Sequence, residues 1–148
     1  VLDLADLQTG KLVLTRNIFH PENVVRSVME TAQIWATGKR INLRWEAFPS
    51  IPHVLGDERR TRQVLFNLVS NAIKFTNRGE VTLKASVHTS IDDEVWVLYE
   101  VIDTGIGIAA RDRRRIFNRN VQAGPAAESD RAQGSGLGLW VVKQLALR

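Results

Sequence analysis

The sequence predicts an α+β fold, a two-layer sandwich in which a mixed, mostly antiparallel sheet packs on helices. Three observations lead there. Residues 57–76 have the periodicity of one long amphipathic helix. Residues 80–87 and 94–102 alternate apolar and polar positions around a polar tip, the pattern of a hairpin. A second amphipathic helix, 21–37, sits among short strands, so helices and antiparallel strands follow one another in runs.

The helix over 57–76 organises the chain. Asp57 after Gly56 is a suitable N-cap, and Glu58 places negative charge in the first turn. At about 100° per residue, Val64, Leu65, Leu68, Val69, Ala72 and Phe75 share a broad apolar face, which Phe66 and Ile73 extend along one flank. Opposite them, Arg60, Gln63, Asn67, Asn71 and Lys74 fill a stripe of roughly 80°. Such a stripe faces water or a ligand. Glu and Lys would suit a solvated face, whereas two Asn one turn apart cost a few tenths of a kcal/mol each relative to Ala. An amide oxygen suits a hard cation and a Lys ammonium suits a phosphate, so Asn67, Asn71 and Lys74 suggest a metal–phosphate site.

The other elements follow in order. Residues 1–7 have helical spacing without a cap, like the end of a helix that begins upstream, and Thr9-Gly10 stops it. Residues 11–19 read as a strand. The helix over 21–37 starts at Pro21, carries Val24, Val25, Val28, Met29, Ala32 and Trp35 on one face, and ends at Gly38. Residues 41–46 alternate as a strand, and 53–55 suit a short edge strand. Asn77-Arg78-Gly79 makes a turn into 80–87, where Val81, Leu83, Ala85 and Val87 point inward and Thr82, Lys84 and Ser86 outward. In 94–102, Val95, Val97, Tyr99 and Val101 face one way. Asp103-Thr104-Gly105-Ile106-Gly107-Ile108 ends that strand, either as a simple turn or as a place where backbone approaches a ligand closely. Residues 111–117 read as a short helix. Residues 118–133 are polar, aperiodic and long for a connection, which suggests a functional loop. Gly134-Ser135-Gly136-Leu137-Gly138 then opens a helix over 137–147 with Leu139, Val142, Leu145 and Ala146 inward, and glycines there offer N–H groups to an anion.

Composition excludes several classes. The 148 residues contain no cysteine, so disulfides and thiolate metal sites are ruled out. No apolar run approaches the ~20 residues that span a bilayer, and no signal peptide opens the chain. The net charge of +4 is modest. Arg111, Arg113, Arg114, Arg115 and Arg119 form the one basic cluster, but aromatic interleaving stops at Phe117, which argues against nucleic acid. The glycine spacing around 134–138 is not that of a dinucleotide fold, and there is no GxxxxGK[ST] phosphate loop.

Taken together and in order, NLVSNAIKF, DTGIGI and GSGLGL resemble the N, G1 and G2 boxes of the ATP-binding catalytic domain of histidine protein kinases, which has the Bergerat fold. IFNRNVQA stands at the F box. The resemblance covers nearly the whole chain, with 1–10 matching the end of an upstream dimerisation and phosphoacceptor helix and 11–148 the catalytic domain. It suggests a hybrid-type sensor kinase. It implies ATP and Mg²⁺ as ligands, with Asn71 on the metal, Asn67 supporting the phosphate–metal cluster and Lys74 neutralising phosphate charge. Asp103 would accept from the adenine amino group, with Gly105 and Gly107 allowing close approach. Gly134, Gly136 and Gly138, with Leu137 among them, would hinge a lid over 118–133 and present N–H groups to the phosphates. Relatives of the fold that hydrolyse ATP place a Glu general base where this chain has Asn67, so the resemblance implies transfer to a histidine rather than to water.

That histidine would belong to the upstream dimerisation domain, since His20, His53 and His88 do not lie in an H-[E/D]-x-x-x-P context. The implied partners are that domain and, indirectly, a response regulator or receiver domain. A homodimer would form through the upstream helices, in the cytoplasm, with any membrane anchor upstream and no membrane contact in this segment. Arg119 and Asn120 replace the Pro and second Phe of the usual F box, and the family normally continues past Arg148 with a hairpin. The other reading is a non-catalytic nucleotide-binding module of the same fold, acting in regulation or docking.

Overall fold

Pro21 holds the φ that the first turn of a helix needs, and helix α1 runs Pro21–Trp35. The computed structural model describes residues 13–47, 51–89, 95–118 and 137–146. The predicted segment 1–7, and Arg119 to Gln133 of the expected lid, lie outside them. The described residues fall into two compact units, one spanning Thr15–Ile106 and the other holding residues 13–14, 107–118 and 137–146.

In the first unit α1 buries Val24, Val25, Val28, Met29 and Ala32, as its spacing predicts. Trp35 does not join them. It is partly exposed and meets the Phe66 ring edge-on at 5.6 Å. Gly38, at φ +80°, turns the chain out of the helix.

Helix α2 runs Glu58–Phe75. Asp57 secures its start with both carboxylate oxygens: Oδ1 accepts from the Arg60 N–H and Oδ2 from the Thr15 N–H, each at 2.9 Å. The buried side chains are Leu65, Val69, Ala72 and Ile73. The apolar face is therefore rotated from the predicted one. Ile73, expected on a flank, is in the core, and Phe75 is 44% exposed. A face this broad leaves its centre ambiguous, and the sheet beneath it decides.

Among the described residues five strands form two sheets. Strands β1 (Asn17–Phe19) and β3 (Val54–Gly56) pair antiparallel. Strands β2 (Arg40–Ala47), β4 (Arg78–Thr89) and β5 (Val95–Asp103) stand in the order β2-β4-β5. β4 and β5 are the predicted antiparallel hairpin, with Lys84 opposite Glu100. β2 runs parallel to β4, Leu43 opposite Val81, so the connection through α2 is a crossover. The strand predicted over 11–19 is reduced to three residues. The turn expected at 77–79 contracts to a bend at Asn77, with Arg78 and Gly79 already in β4.

One sheet face carries Leu43, Val81, Leu83, Ala85, Val97, Tyr99 and Val101 and packs with α1 and α2 around a shared core. This is the predicted two-layer arrangement. Val87 and Val95, expected inward, are exposed. Among the described residues the β2 ladder ends opposite Ala85, and the far end of the hairpin has no second neighbour. Thr82, expected outward and accessible, is buried on the outer face. Arg44 and Ile102 flank it in register, and its hydroxyl donates to Glu80 Oε1 at 3.1 Å.

In the second unit, residues 110–117 form successive turns rather than the predicted helix. The Arg115 and Ile116 N–H groups both return to the Asp112 carbonyl, and Ile116 is buried. Helix α3 runs Gly138–Ala146 and buries Val141, Val142 and Leu145. Among the described residues, no helix is long and apolar enough to cross a membrane.

Candidate functional site

The polar stripe of α2 is the first component. Asn67, Asn71 and Lys74 follow at i, i+4 and i+7 and are all partly exposed, while Leu65, Val69 and Ala72 bury the opposite side. Among the described residues neither Asn amide makes a hydrogen bond, so both remain available as donors and acceptors. The Lys74 ammonium lies 5.2 Å from the centroid of the Phe75 ring. Nearer the helix start, Arg60 donates to Gln63 at 3.2 Å.

The C-terminal end of α2 is closed from outside the helix. Lys39 Nζ donates to the Ile73 carbonyl at 2.5 Å and the Lys74 carbonyl at 3.2 Å. A cation there satisfies carbonyls that have no intrahelical partner and complements the helix dipole.

The loop after β5 docks on that same end. The Gly105 N–H donates to Asp103 Oδ1 at 2.9 Å, and the Ile106 N–H donates to the Phe75 carbonyl at 3.2 Å. A Cβ on Gly105 would lie 2.5 Å from the Phe75 carbonyl oxygen, 2.8 Å from Asp103 Oδ1 and 2.9 Å from Thr76 Oγ1. Only glycine fits there. Thr104 ties the other side of the loop to β4: its N–H donates to the Glu80 carbonyl at 3.1 Å, and its hydroxyl accepts from the Glu80 N–H at 2.9 Å.

The fold thus brings Asp103 and Gly105 against the end of the helix that carries Asn67, Asn71 and Lys74. Gly107 has φ +68° and open space around it. In the second unit Gly138 begins α3, and the Leu137 carbonyl accepts from the Val141 N–H at 2.8 Å. Gly134 and Gly136 lie outside the described residues. Two contributors escaped the sequence reading. Lys39 gives no local signal, because its partners are 34 and 35 positions away. Thr76 reads as a helix terminus, yet it is 0% exposed and its hydroxyl has no hydrogen-bond partner among the described residues.

The three histidines take no part in these contacts. His20 is the N-cap residue of α1, and its ring meets that of His53 edge-on at 4.9 Å. His88 is exposed on β4 opposite Trp96. Arg111 and Arg115 are exposed and lie 3.8 Å from the Asp112 carboxylate. Among the described residues no group of three or more His, Asp or Glu side chains could hold a metal ion.

Comparison with known proteins bears on the family and the fold. The chain is 37% identical over 147 residues to the sensory/regulatory protein RpfC of Xanthomonas campestris pv. campestris, covering 98% of this chain and 20% of that protein. It is 35% identical over 147 residues to the histidine protein kinase DivJ of Caulobacter vibrioides, covering 99% of this chain and 24% of DivJ. The chain therefore spans about a fifth to a quarter of the length of these relatives. Full-length ShkA, solved in complex with AMPPNP, superposes with a TM-score of 0.81 at 37% identity, covering 97% of this chain and 28% of ShkA. The catalytic domain of the histidine kinase ThkA shares the fold, with a TM-score of 0.68 at 24% identity over 88% of this chain and 79% of that one. The profile of the histidine kinase-, DNA gyrase B- and HSP90-like ATPases matches residues 56–148, and the chain belongs to that family.

Proposed function

We propose that this chain is the ATP-binding catalytic domain of a sensor histidine kinase, of hybrid type, and that it transfers the ATP γ-phosphoryl group to a histidine on a separate dimerisation domain. The observation that supports this reading is the docking of the Asp103–Gly105 turn on the end of α2. It sets the Asp103 carboxylate beside the helix whose partly exposed stripe offers two amides and an ammonium. In this reading Asp103 Oδ2 accepts from the adenine amino group, Oδ1 being engaged by the Gly105 N–H. Lys74 offsets phosphate charge. Gly107, Leu137 and Gly138, with Gly134 and Gly136, come to the reading through the family pattern alone.

The donor set fits Mg²⁺ delivered with the nucleotide. Two neutral amides without a carboxylate cluster make a poor cage for a free cation, but Mg²⁺ keeps waters and phosphate oxygens and needs few protein ligands. Asn71 would hold it, with Asn67 one turn away. Bound Mg²⁺ would neutralise charge that develops on the phosphates. The acceptor imidazole forms an N–P bond as the bond from the γ-phosphorus to ADP breaks. Catalysis is then chiefly positioning and charge neutralisation. The acceptor domain, a response regulator or receiver domain downstream, and dimerisation through upstream helices belong to the same proposal.

Calorimetric titration with ATP, with and without Mg²⁺, tests the reading on the wild-type chain and on Asp103→Asn. Removing a hydrogen bond to a charged group should weaken Mg-dependent binding by about one to two decades. Unchanged affinity in Asp103→Asn would refute the assigned site. Absence of binding in a folded sample would refute nucleotide binding altogether, and binding without phosphoryl transfer to a histidine protein would favour the non-catalytic reading.

A further inference from the structure

The hydroxyl of Thr76 is the one polar group at the docked turn without an assigned task. Thr76 follows α2 directly and is 0% exposed, and its Oγ1 has no hydrogen-bond partner among the described residues. A buried hydroxyl left alone is costly, so a partner is expected where it points. It lies against Gly105, where a side chain would collide with it. A Cβ on that glycine would lie 2.9 Å from Thr76 Oγ1 and 2.8 Å from Asp103 Oδ1, so both oxygens border the same residue.

The third oxygen at that point, the Phe75 carbonyl, already accepts from the Ile106 N–H, and Asp103 Oδ1 accepts from the Gly105 N–H. All three lining oxygens can accept, but only Thr76 also carries a proton to donate. A carboxylate oxygen takes more than one donor, so Asp103 Oδ1 has room for a second.

From this geometry we propose that Thr76 is a positioning and specificity-determining residue for the purine base. Its hydroxyl donates to Asp103 Oδ1 once a small turn of either side chain brings the two oxygens together. Held by Gly105 on one side and Thr76 on the other, Oδ1 is fully engaged, the carboxylate plane is fixed, and Oδ2 alone is presented to the base. A carboxylate kept as a pure acceptor takes a hydrogen bond from a 6-amino group and repels a 6-oxo group. Thr76 thereby sharpens the choice of adenine over guanine. The inference rests on the proposed role of Asp103.

The test compares Thr76→Val and Thr76→Ser with wild type in the full chain, by titration with Mg-ATP and Mg-GTP. Thermal melting confirms folding. Valine matches the shape and removes the proton donor, while serine retains it. Thr76→Val is expected to bind ATP about three- to tenfold more weakly and to narrow the ATP-to-GTP preference, with its melting temperature held or raised. Thr76→Ser is expected to keep the wild-type preference. Wild-type ATP affinity and preference in a folded Thr76→Val would overturn the inference, as would equal losses in both variants. Asp103→Asn separates the two levels. If it weakens ATP binding while Thr76→Val does not, only the role of Thr76 fails; if neither does, the nucleotide site itself is misassigned.

Discussion

The ammonium of Lys39 sits 2.5 Å from the carbonyl oxygen of Ile73, so a residue just ahead of β2 closes the far end of the helix that bears the polar stripe. The contact joins the end of α2 to the first strand of the main sheet. Lys39→Met keeps most of the aliphatic stem and removes the charge. It should destabilise the protein by about 1–2 kcal/mol. Urea unfolding reads the change, and a midpoint equal to wild type would show that water satisfies those carbonyls equally well.

Gly105→Ala tests how tightly the turn docks on α2. The added methyl group would meet the Phe75 backbone carbonyl at 2.5 Å, and that carbonyl belongs to a packed helix end rather than to a flexible side chain. A loss of about 1–3 kcal/mol is expected, together with weaker ATP binding because Asp103 moves with the turn. Crystallography or amide chemical shifts at residues 103–106 would locate the displacement.

Asn67 offers a gain-of-function test. An amide cannot take a proton from water, whereas a carboxylate at that point on the stripe can. Asn67→Glu should release inorganic phosphate from ATP faster than the wild-type chain, measured by steady-state phosphate release. No increase in a variant that still binds Mg-ATP would mean that more than this side chain separates transfer to histidine from hydrolysis.

Tyr99 governs a pH limb. Its hydroxyl is buried without a hydrogen-bond partner among the described residues, and burial pushes its pKa up from 10.0 to about 12. The unfolded chain therefore loses this proton first. The stability linked to it is complete below about pH 10 and is lost as pH rises towards about 12. Tyr99→Phe should flatten this alkaline decline in denaturation midpoints and leave stability near neutrality equal or slightly higher. Tyr99 is the only tyrosine, so tyrosinate absorbance reads its titration directly.

Local rules made most of the scaffold legible. The Asp57 cap, the buried face of α1 and the β4–β5 hairpin depend on residues close in sequence, and, apart from Trp35 at the end of α1, each stands where the pattern places it. Non-local contacts decided the rest. The parallel pairing of β2 with β4 joins residues 38 apart, such as Arg40 and Arg78, and no hydropathy pattern distinguishes it from an antiparallel alternative. Phe75 fits the apolar wheel yet lies at a helix end where the docking loop claims its carbonyl, leaving its ring partly exposed near Lys74. For the candidate site, the Asn67–Asn71–Lys74 stripe and the Asp103–Gly105 turn were visible as residue types at given spacings. The turn's place on Phe75 and Thr76 appears only in three dimensions.

The crossover between β2 and β4 has a consequence for hydrogen exchange. The helix it contains is tied at both ends, because its start follows β3, which pairs with β1, and its end feeds β4, the central strand of the main sheet. Opening the amides at the centre of α2 exposes the core that the helix shares with the sheet, and the slowest-exchanging protons of this unit should include those of Leu65 and Val69. The side chains offered to a ligand project from one of the least yielding segments of the unit, so adaptation to that ligand falls to the loops.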